Sequence, residues 1–140
     1  MALYLIRHTS PKIPEGVCYG RLDLDVSDTF PIEAQQVKRR IKKTYSQVIV
    51  SPLRRCLKLA EYLNIPFEID SRIQEMDFGD WEGIPWSEIN PKEIDAWAND
   101  IVGYRVPGGE RFQDVIERVE EFLSELSGED NLLITHSGVI

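Results

Sequence analysis

Apolar residues are distributed along the chain in two rhythms, short unbroken runs and stripes spaced three or four positions apart. Ala2 to Arg7 (ALYLIR) is a short apolar run of the buried-strand type, and it stops at Arg7-His8-Thr9. Residues 10 to 30 carry Pro11, Pro14, Gly16 and Gly20 and read as one long connection, a kind of segment that is often functional when ordered. Pro31 suits a first helical turn, and Val37, Ile41 and Tyr45 at i, i+4, i+8 predict a helix running to about Thr44. Lys38, Arg39, Arg40, Lys42 and Lys43 on it read as a solvated face complementing the helix dipole rather than as a nucleic-acid patch.

Gln47 to Val50 (QVIV) predicts a second strand, with Ser51-Pro52 behind it as N-cap and first turn of a helix. Leu53, Cys56, Leu57, Ala60 and Leu63 supply its apolar stripe, and Asn64 ends it. Pro66 to Asp70 (PFEID) predicts a third strand. Glycines and prolines break 71 to 109 into short pieces, with short helices at Pro85 to Asn90 and Pro91 to Ala98 and with Trp81, Trp86 and Trp97 as structural anchors. Glu110 to about Ser127 is the clearest helix, with Phe112, Val115, Ile116, Val119, Phe122, Leu123 and Leu126 on one stripe and Gly128 as its stop. Asn131 to Thr135 (NLLIT) predicts a buried strand that delivers His136. Alternating strands and helices imply a single α/β domain of three layers, a largely parallel central sheet flanked by helices. Ligands of such sheets bind beyond the carboxyl ends of the strands.

Composition narrows the function classes. At 140 residues, 42% hydrophobic and 29% charged, the chain has globular values and the length of one domain. No apolar run is long enough for a membrane span, and MALYLIRH has no signal-peptide pattern, so the expected location is the cytoplasm, with no membrane partner. Cys18 and Cys56 make neither a disulfide framework nor a metal pair and read as reduced thiols. The net charge is −8, with residues 1 to 70 at +3 and residues 71 to 140 at −11. A long-range field of that sign gives no attraction for nucleic acid, so an anionic ligand needs a local cluster of positive groups.

Such a cluster is present in the pattern. Arg7-His8 follows the first strand, Ser51 to Arg55 joins the second strand to its helix, and His136 follows the last strand. Parallel strands bring all three to one sheet edge, and the chain's two histidines are both there. Singly, a histidine after a strand reads as a hydrogen-bonded structural residue, and an arginine in a first helical turn as a surface charge. Together, two histidines and two arginines beside a helix N-terminus make an anion site. Histidine spacing for a metal is absent, and arginines would repel a cation, so no metal and no cofactor is expected. Neither GxxxxGK nor GxGxxG occurs.

These residues resemble the histidine phosphatase superfamily, the phosphoglycerate-mutase-like branch in which a histidine is phosphorylated. Leu5-Ile6-Arg7-His8-Thr9 is similar to its Arg-His-Gly signature, with Thr9 in the third place. Ser51-Pro52-Leu53-Arg54-Arg55 is similar to its second basic motif, with Arg55 the aligned arginine. Glu75 to Gly83 (EMDFGDWEG) resembles the stretch that opens on the acidic catalyst. Pro107-Gly108-Gly109-Glu110 resembles the turn before a long helix, and Thr135-His136-Ser137-Gly138 the second-histidine motif, with Ser137 where a small glycine is common. Gly16 to Asp23 (GVCYGRLD) is similar to the α-ribazole phosphatases of cobalamin synthesis, which remove the 5′-phosphate of α-ribazole phosphate.

The resemblance implies a phosphomonoesterase acting on a small phosphorylated metabolite. His8 is the implied nucleophile, Arg7, Arg55 and His136 the phosphate clamp, and Glu75 the proton donor to the leaving oxygen. Tyr19 and Asp23 are implied as pocket residues, and Arg21 stands equally as a lid group on the substrate or a surface residue. A phosphoglycerate-type mutase, another small-molecule phosphatase and a noncatalytic phosphoryl-binding module are the alternatives. The family continues past the second-histidine motif with a helix and further sheet, whereas the sequence ends at Ile140. The expectation is a last strand without its covering helix, in a truncated chain or one completed by a partner such as a second copy in a homodimer.

Overall fold

The computed structural model describes residues 1–140. Its sheet has four parallel strands, β1 (Ala2–Arg7), β2 (Gln47–Val50), β3 (Glu68–Ile69) and β4 (Asp130–Thr135), in the order β1-β4-β2-β3. Helices α1 (Phe30–Arg40), α2 (Arg54–Leu63), α3 (Pro91–Asn99) and α4 (Phe112–Glu125) complete the α/β architecture.

Residue alternation along the strands divides the core. Val48, Val50, Leu132 and Ile134 face Ala34 of α1 and Cys56, Leu59, Ala60 and Leu63 of α2, whereas Ile49 and Leu133 face Phe122 of α4 and Ile73. Both faces are thereby covered over β2 and β4, which is why these two strands read as unbroken apolar runs. A third cluster holds the 75–119 region together around Trp81, Met76, Val106 and Val115. Burying a side chain such as Leu59 contributes about 1.5–3 kcal/mol.

Several boundaries differ from the sequence expectation, each for a local reason. Helix α1 stops at Arg40 rather than near Thr44, because Ile41 is extended (φ −88, ψ 158). Tyr45 meets the core from outside the helix, edge-on to Tyr4 at 5.5 Å, so the apolar spacing continues through a turn. Helix α2 begins at Arg54 with Leu53 as its N-cap, not Ser51. The Ser51 hydroxyl is taken by His136 Nε2 at 2.8 Å, and Asp23 Oδ1 accepts from the Arg54 amide at 2.6 Å. The strand expected at 66–70 narrows to Glu68–Ile69. Helix α4 begins at Phe112 rather than Glu110, whose carboxylate is committed elsewhere, and ends at Glu125, before Gly128. The last strand is not the uncovered one: β4 is central and buried from Asn131 to Thr135, while the open apolar positions are Leu3 and Leu5 on edge strand β1.

Strand register positions the chemistry. Arg7 pairs with Thr135 and Val50 with Ile134, so the carboxyl ends of β1, β4 and β2 lie level. The ladder continues one residue further, His8 N–H donating to Thr135 O at 3.1 Å and Ser51 N–H to Ile134 O at 3.0 Å.

Candidate active site

His8, Arg55, Glu75 and His136 meet at that edge, all buried. The two imidazole rings lie 5.0 Å apart between centroids. His8 Nδ1 is 2.6 Å from the Thr9 carbonyl oxygen, which can only accept, so the proton sits on Nδ1 and Nε2 carries the lone pair. Arg55 Nε donates to that Nε2 at 3.4 Å. Burial, reinforced by the nearby Arg55 and Arg7 charges, holds His8 down at about 4. Burial and the Arg55 charge hold His136 at about 2. Both rings are therefore neutral at physiological pH, as a nucleophilic imidazole must be.

His136 Nε2 is 2.8 Å from Ser51 Oγ, and Nδ1 lies 3.4 Å from Arg55 Nη2. A hydroxyl donates or accepts, so Ser51 supports either tautomer of the ring. With Ser51 accepting from Nε2–H, Nδ1 accepts from Arg55 Nη2; with Ser51 donating to Nε2, the ring presents Nδ1–H to an anion placed between it and Arg55.

Arg55 is fully buried and forms no ion pair. Its Nη1 donates to Leu22 O and its Nη2 to Gly20 O, each at 2.7 Å, and Tyr19 lies 5.4 Å from its guanidinium carbon. Burial pulls the guanidinium below its usual value. Its hydrogen bonds go only to carbonyls and neutral rings, and Glu75 and Asp23 act on it from a distance without pairing, so an anion between the two histidines gains a buried cation with no direct ion partner. Arg7 lies exposed at the mouth of the same cleft, also outside any ion pair.

Glu75 accepts from its neighbour's amide, Met76 N–H, at 2.9 Å and from Gly138 N–H at 3.2 Å. A Cβ on Gly138 would overlap Glu75 Oε1, so glycine is needed for this approach. The Glu75 carbonyl is held by Arg21 Nε and Arg118 Nη2, both at 3.1 Å, and Glu110 pairs with both arginines. Arg21 is thus spent on fixing the Glu75 backbone, and Asp23 on capping α2. Tyr19 lines the cleft itself. Gly138, Glu110, Ser51 and Arg118 join the site beyond the residues singled out from the sequence; the first three lie inside quoted motifs, while Arg118 has no local signal.

The cleft is a cavity of about 350 Å³ whose polar lining includes Arg7, His8 and Glu75. Its remaining wall is largely apolar and includes Phe78, Trp86, Trp97 and Phe112, so two of the three expected anchors double as cavity lining. Trp86 and Trp97 stack at 5.7 Å. No group of three His, Cys, Asp or Glu side chains is arranged to hold a metal ion. Burial pushes the Cys18 and Cys56 thiols up to about 12, which leaves them unreactive. No helix is long and apolar enough to cross a membrane.

A profile of the histidine phosphatase superfamily (branch 1) matches residues 3–140. A curated relative from Hydrogenobacter thermophilus, "Putative phosphoserine phosphatase 2", is 30% identical over 150 residues, covering 99% of this chain and 74% of the relative. The crystal structure of a phosphoglycerate mutase from Thermus thermophilus superposes with a TM-score of 0.87 at 29% identity, covering 100% of this chain and 80% of that one. A "putative alpha-ribazole-5'-P phosphatase" from Escherichia coli superposes with a TM-score of 0.87 at 27% identity, covering 98% and 74%. Of other curated relatives the chain spans smaller shares, from 63% down to 19% of their length.

Proposed function

The chain belongs to the histidine phosphatase superfamily, and from that membership and the charge of its site we propose a phosphomonoesterase that works through a phosphohistidine at His8. The observation that carries this reading is the buried, unpaired Arg55 beside two neutral histidines. A phosphoryl group between the rings takes Arg55, Arg7 and His136 Nδ1–H on its oxygens, and planar guanidinium forks suit that geometry.

In the first step His8 Nε2 forms a bond to phosphorus while the ester oxygen leaves, and Glu75 gives that oxygen a proton. A monoanionic ester brings that proton into the site, and Glu75 relays it to the leaving oxygen. In the second step water attacks phosphorus, Glu75 takes its proton, and the phosphorus–nitrogen bond breaks to return neutral His8. Splitting one hard displacement into two easier ones is the gain from the covalent route. The transition state is loose, so positioned charge does most of the remaining work.

For the substrate, the apolar lining of the cavity favours α-ribazole 5′-phosphate, with α-ribazole as the leaving group. Its flat benzimidazole matches a wall of Phe78, Trp86, Trp97 and Phe112, and the loop Gly16 to Asp23 carries the resemblance to enzymes of that reaction. Phosphoserine and phosphoglycerate bring a carboxylate, yet Arg7 is the cavity's one cationic side chain. The two buried free thiols suit a reducing, cytoplasmic setting.

The test is phosphate release from α-ribazole phosphate, phosphoserine, 3-phosphoglycerate and p-nitrophenyl phosphate. Expected is a kcat/KM for α-ribazole phosphate at least about 10-fold above phosphoserine. The reverse order overturns the substrate while leaving hydrolysis intact. Interconversion of phosphoglycerates without release means a mutase, and binding without turnover a phosphoryl-binding module.

A further inference from the structure

We propose that Glu82 is a positioning residue for the phosphate clamp, acting on Arg55 through the peptide between Gly20 and Arg21; the proposal rests on the phosphatase reading above. Glu82 closes the short helical turn Gly79–Trp81, and its carboxylate gathers four backbone amides. Oε1 accepts from Arg21 N–H at 2.6 Å and Phe78 N–H at 3.2 Å, and Oε2 from Gly20 N–H at 3.0 Å and Leu22 N–H at 3.3 Å. Three consecutive amides turned onto one carboxylate form an anion-holding nest, here filled from within the protein.

The consequence reaches the site through one rigid plane. In a trans peptide the N–H and C=O point in opposite directions. The Gly20–Arg21 peptide gives its N–H to Glu82 and therefore aims the Gly20 carbonyl at Arg55 Nη2, which donates to it at 2.7 Å. That same Nη2 reaches His136 Nδ1 at 3.4 Å. A charged acceptor on one side of the peptide strengthens the carbonyl as acceptor on the other. The Glu82 carboxylate thus sets the guanidinium's orientation without touching it. The Arg21 side chain, carried on the same peptide, holds the Glu75 carbonyl.

The loop is built for this contact. A Cβ on Gly20 would overlap the Met76 carbonyl and the Phe78 ring, so glycine lets the peptide lie flat on residues 76–78. Neighbouring bonds fasten it along its length, Gly83 N–H to Cys18 O at 2.8 Å, Cys18 N–H to Ile84 O at 2.9 Å and Trp86 N–H to Gly16 O at 2.9 Å. The Glu82 carboxylate holds the amides of residues 20–22, and Arg55 takes the carbonyls of Gly20 and Leu22.

Glu82→Gln replaces one acceptor oxygen by an NH2 that faces amide donors, so the peptide is free to turn. The test measures Glu82→Gln alone and combined with Arg55→Ala, using kcat/KM for p-nitrophenyl phosphate and for ribose 5-phosphate, and calorimetric binding of inorganic vanadate. Expected is a loss of about 10-fold, equal for both esters, with vanadate affinity weakened similarly. In the Arg55→Ala background the same change costs less than about 2-fold, a coupling that a general loss of stability would not produce.

Activity and vanadate affinity within 2-fold of wild type overturn the proposal, as does an undiminished loss in the Arg55→Ala background. A loss confined to the alkyl ester makes Glu82 a proton donor instead and equally overturns it. Should Glu82→Gln fail to fold, Glu82→Asp, which keeps both oxygens, carries the comparison with an expected loss of about 2- to 5-fold and the same dependence on Arg55. A wild-type protein without turnover on any phosphomonoester overturns the phosphatase reading alone, since vanadate binding still reads the coupling.

Discussion

Gly138→Ala moves the proposed proton donor without altering its chemistry. Gly138 N–H holds Glu75 Oε2 at 3.2 Å, and a Cβ at this position would overlap Oε1. The glycine is not among those at positive φ, so alanine is acceptable to the backbone and the strain falls on the carboxylate. Restoring ordinary contact requires Oε1 to move by about 1 Å, a displacement that costs about 100-fold when it separates a catalytic group from its target. That is about 2.7 kcal/mol in the barrier. The effect depends on the leaving group, because nitrophenolate departs without a proton and an alkoxide does not. Steady-state kcat for ribose 5-phosphate is expected to fall about 100-fold, and for p-nitrophenyl phosphate only a few-fold. Glu75→Gln is expected to give the same asymmetry with a larger loss, about 10²- to 10⁴-fold on the alkyl ester. Equal losses on the two esters would refute the acid role and leave Glu75 as a binding or structural residue, with Asp77, Asp80 and Glu82 next to test.

The lowered values of His8, about 4, and His136, about 2, predict a pH dependence of stability. Unfolded rings take up protons below about pH 6.5 that the buried rings refuse, so stability falls as pH drops from there toward 4, by at most about 1.4 kcal/mol per pH unit for each ring. Urea melts of wild type and His136→Asn should show a shallower slope in the variant, and identical slopes would contradict the burial argument. Ser51→Ala removes the group that accommodates His136 Nε2 at 2.8 Å; a stability loss of about 1–3 kcal/mol and weaker vanadate inhibition are expected, and unchanged inhibition would show that Ser51 does not support the clamp. Because the clamp is made of side chains, chelation should leave turnover unchanged while vanadate inhibits. Activity lost to a chelator and restored by zinc or magnesium would mean that the two histidines were misread.

The frame of the site was legible because strand ends are local signals. ALYLIR, QVIV and NLLIT are apolar runs that stop at polar residues, and parallel register then brings His8, Ser51 and His136 level. The buried stripe of α2 was legible for the same reason, although its start was not. Ser51-Pro52 has the chemistry of a cap, but tertiary contacts claim the hydroxyl for His136, and Asp23, from a distant loop, supplies the cap. Glu110 reads as a helix's first residue, yet its carboxylate joins Arg21 to Arg118 beneath Glu75. Arg118 and Glu82 act across 43 and 62 residues of sequence, on Glu75 and Gly20 respectively, and no local periodicity encodes such pairings. Trp86 and Trp97, read as packing anchors, do pack, but they also face the cavity, a distinction that depends on which side of a short helix meets solvent.

The central claim is the covalent intermediate at His8. Rapid acid-free quenching of protein turning over a ³²P-labelled phosphomonoester, followed by peptide mapping, should find base-stable, acid-labile phosphate on the peptide containing His8, and none in His8→Ala. Label that persists in His8→Ala, or turnover with no trappable phosphohistidine in the wild type, would contradict the account.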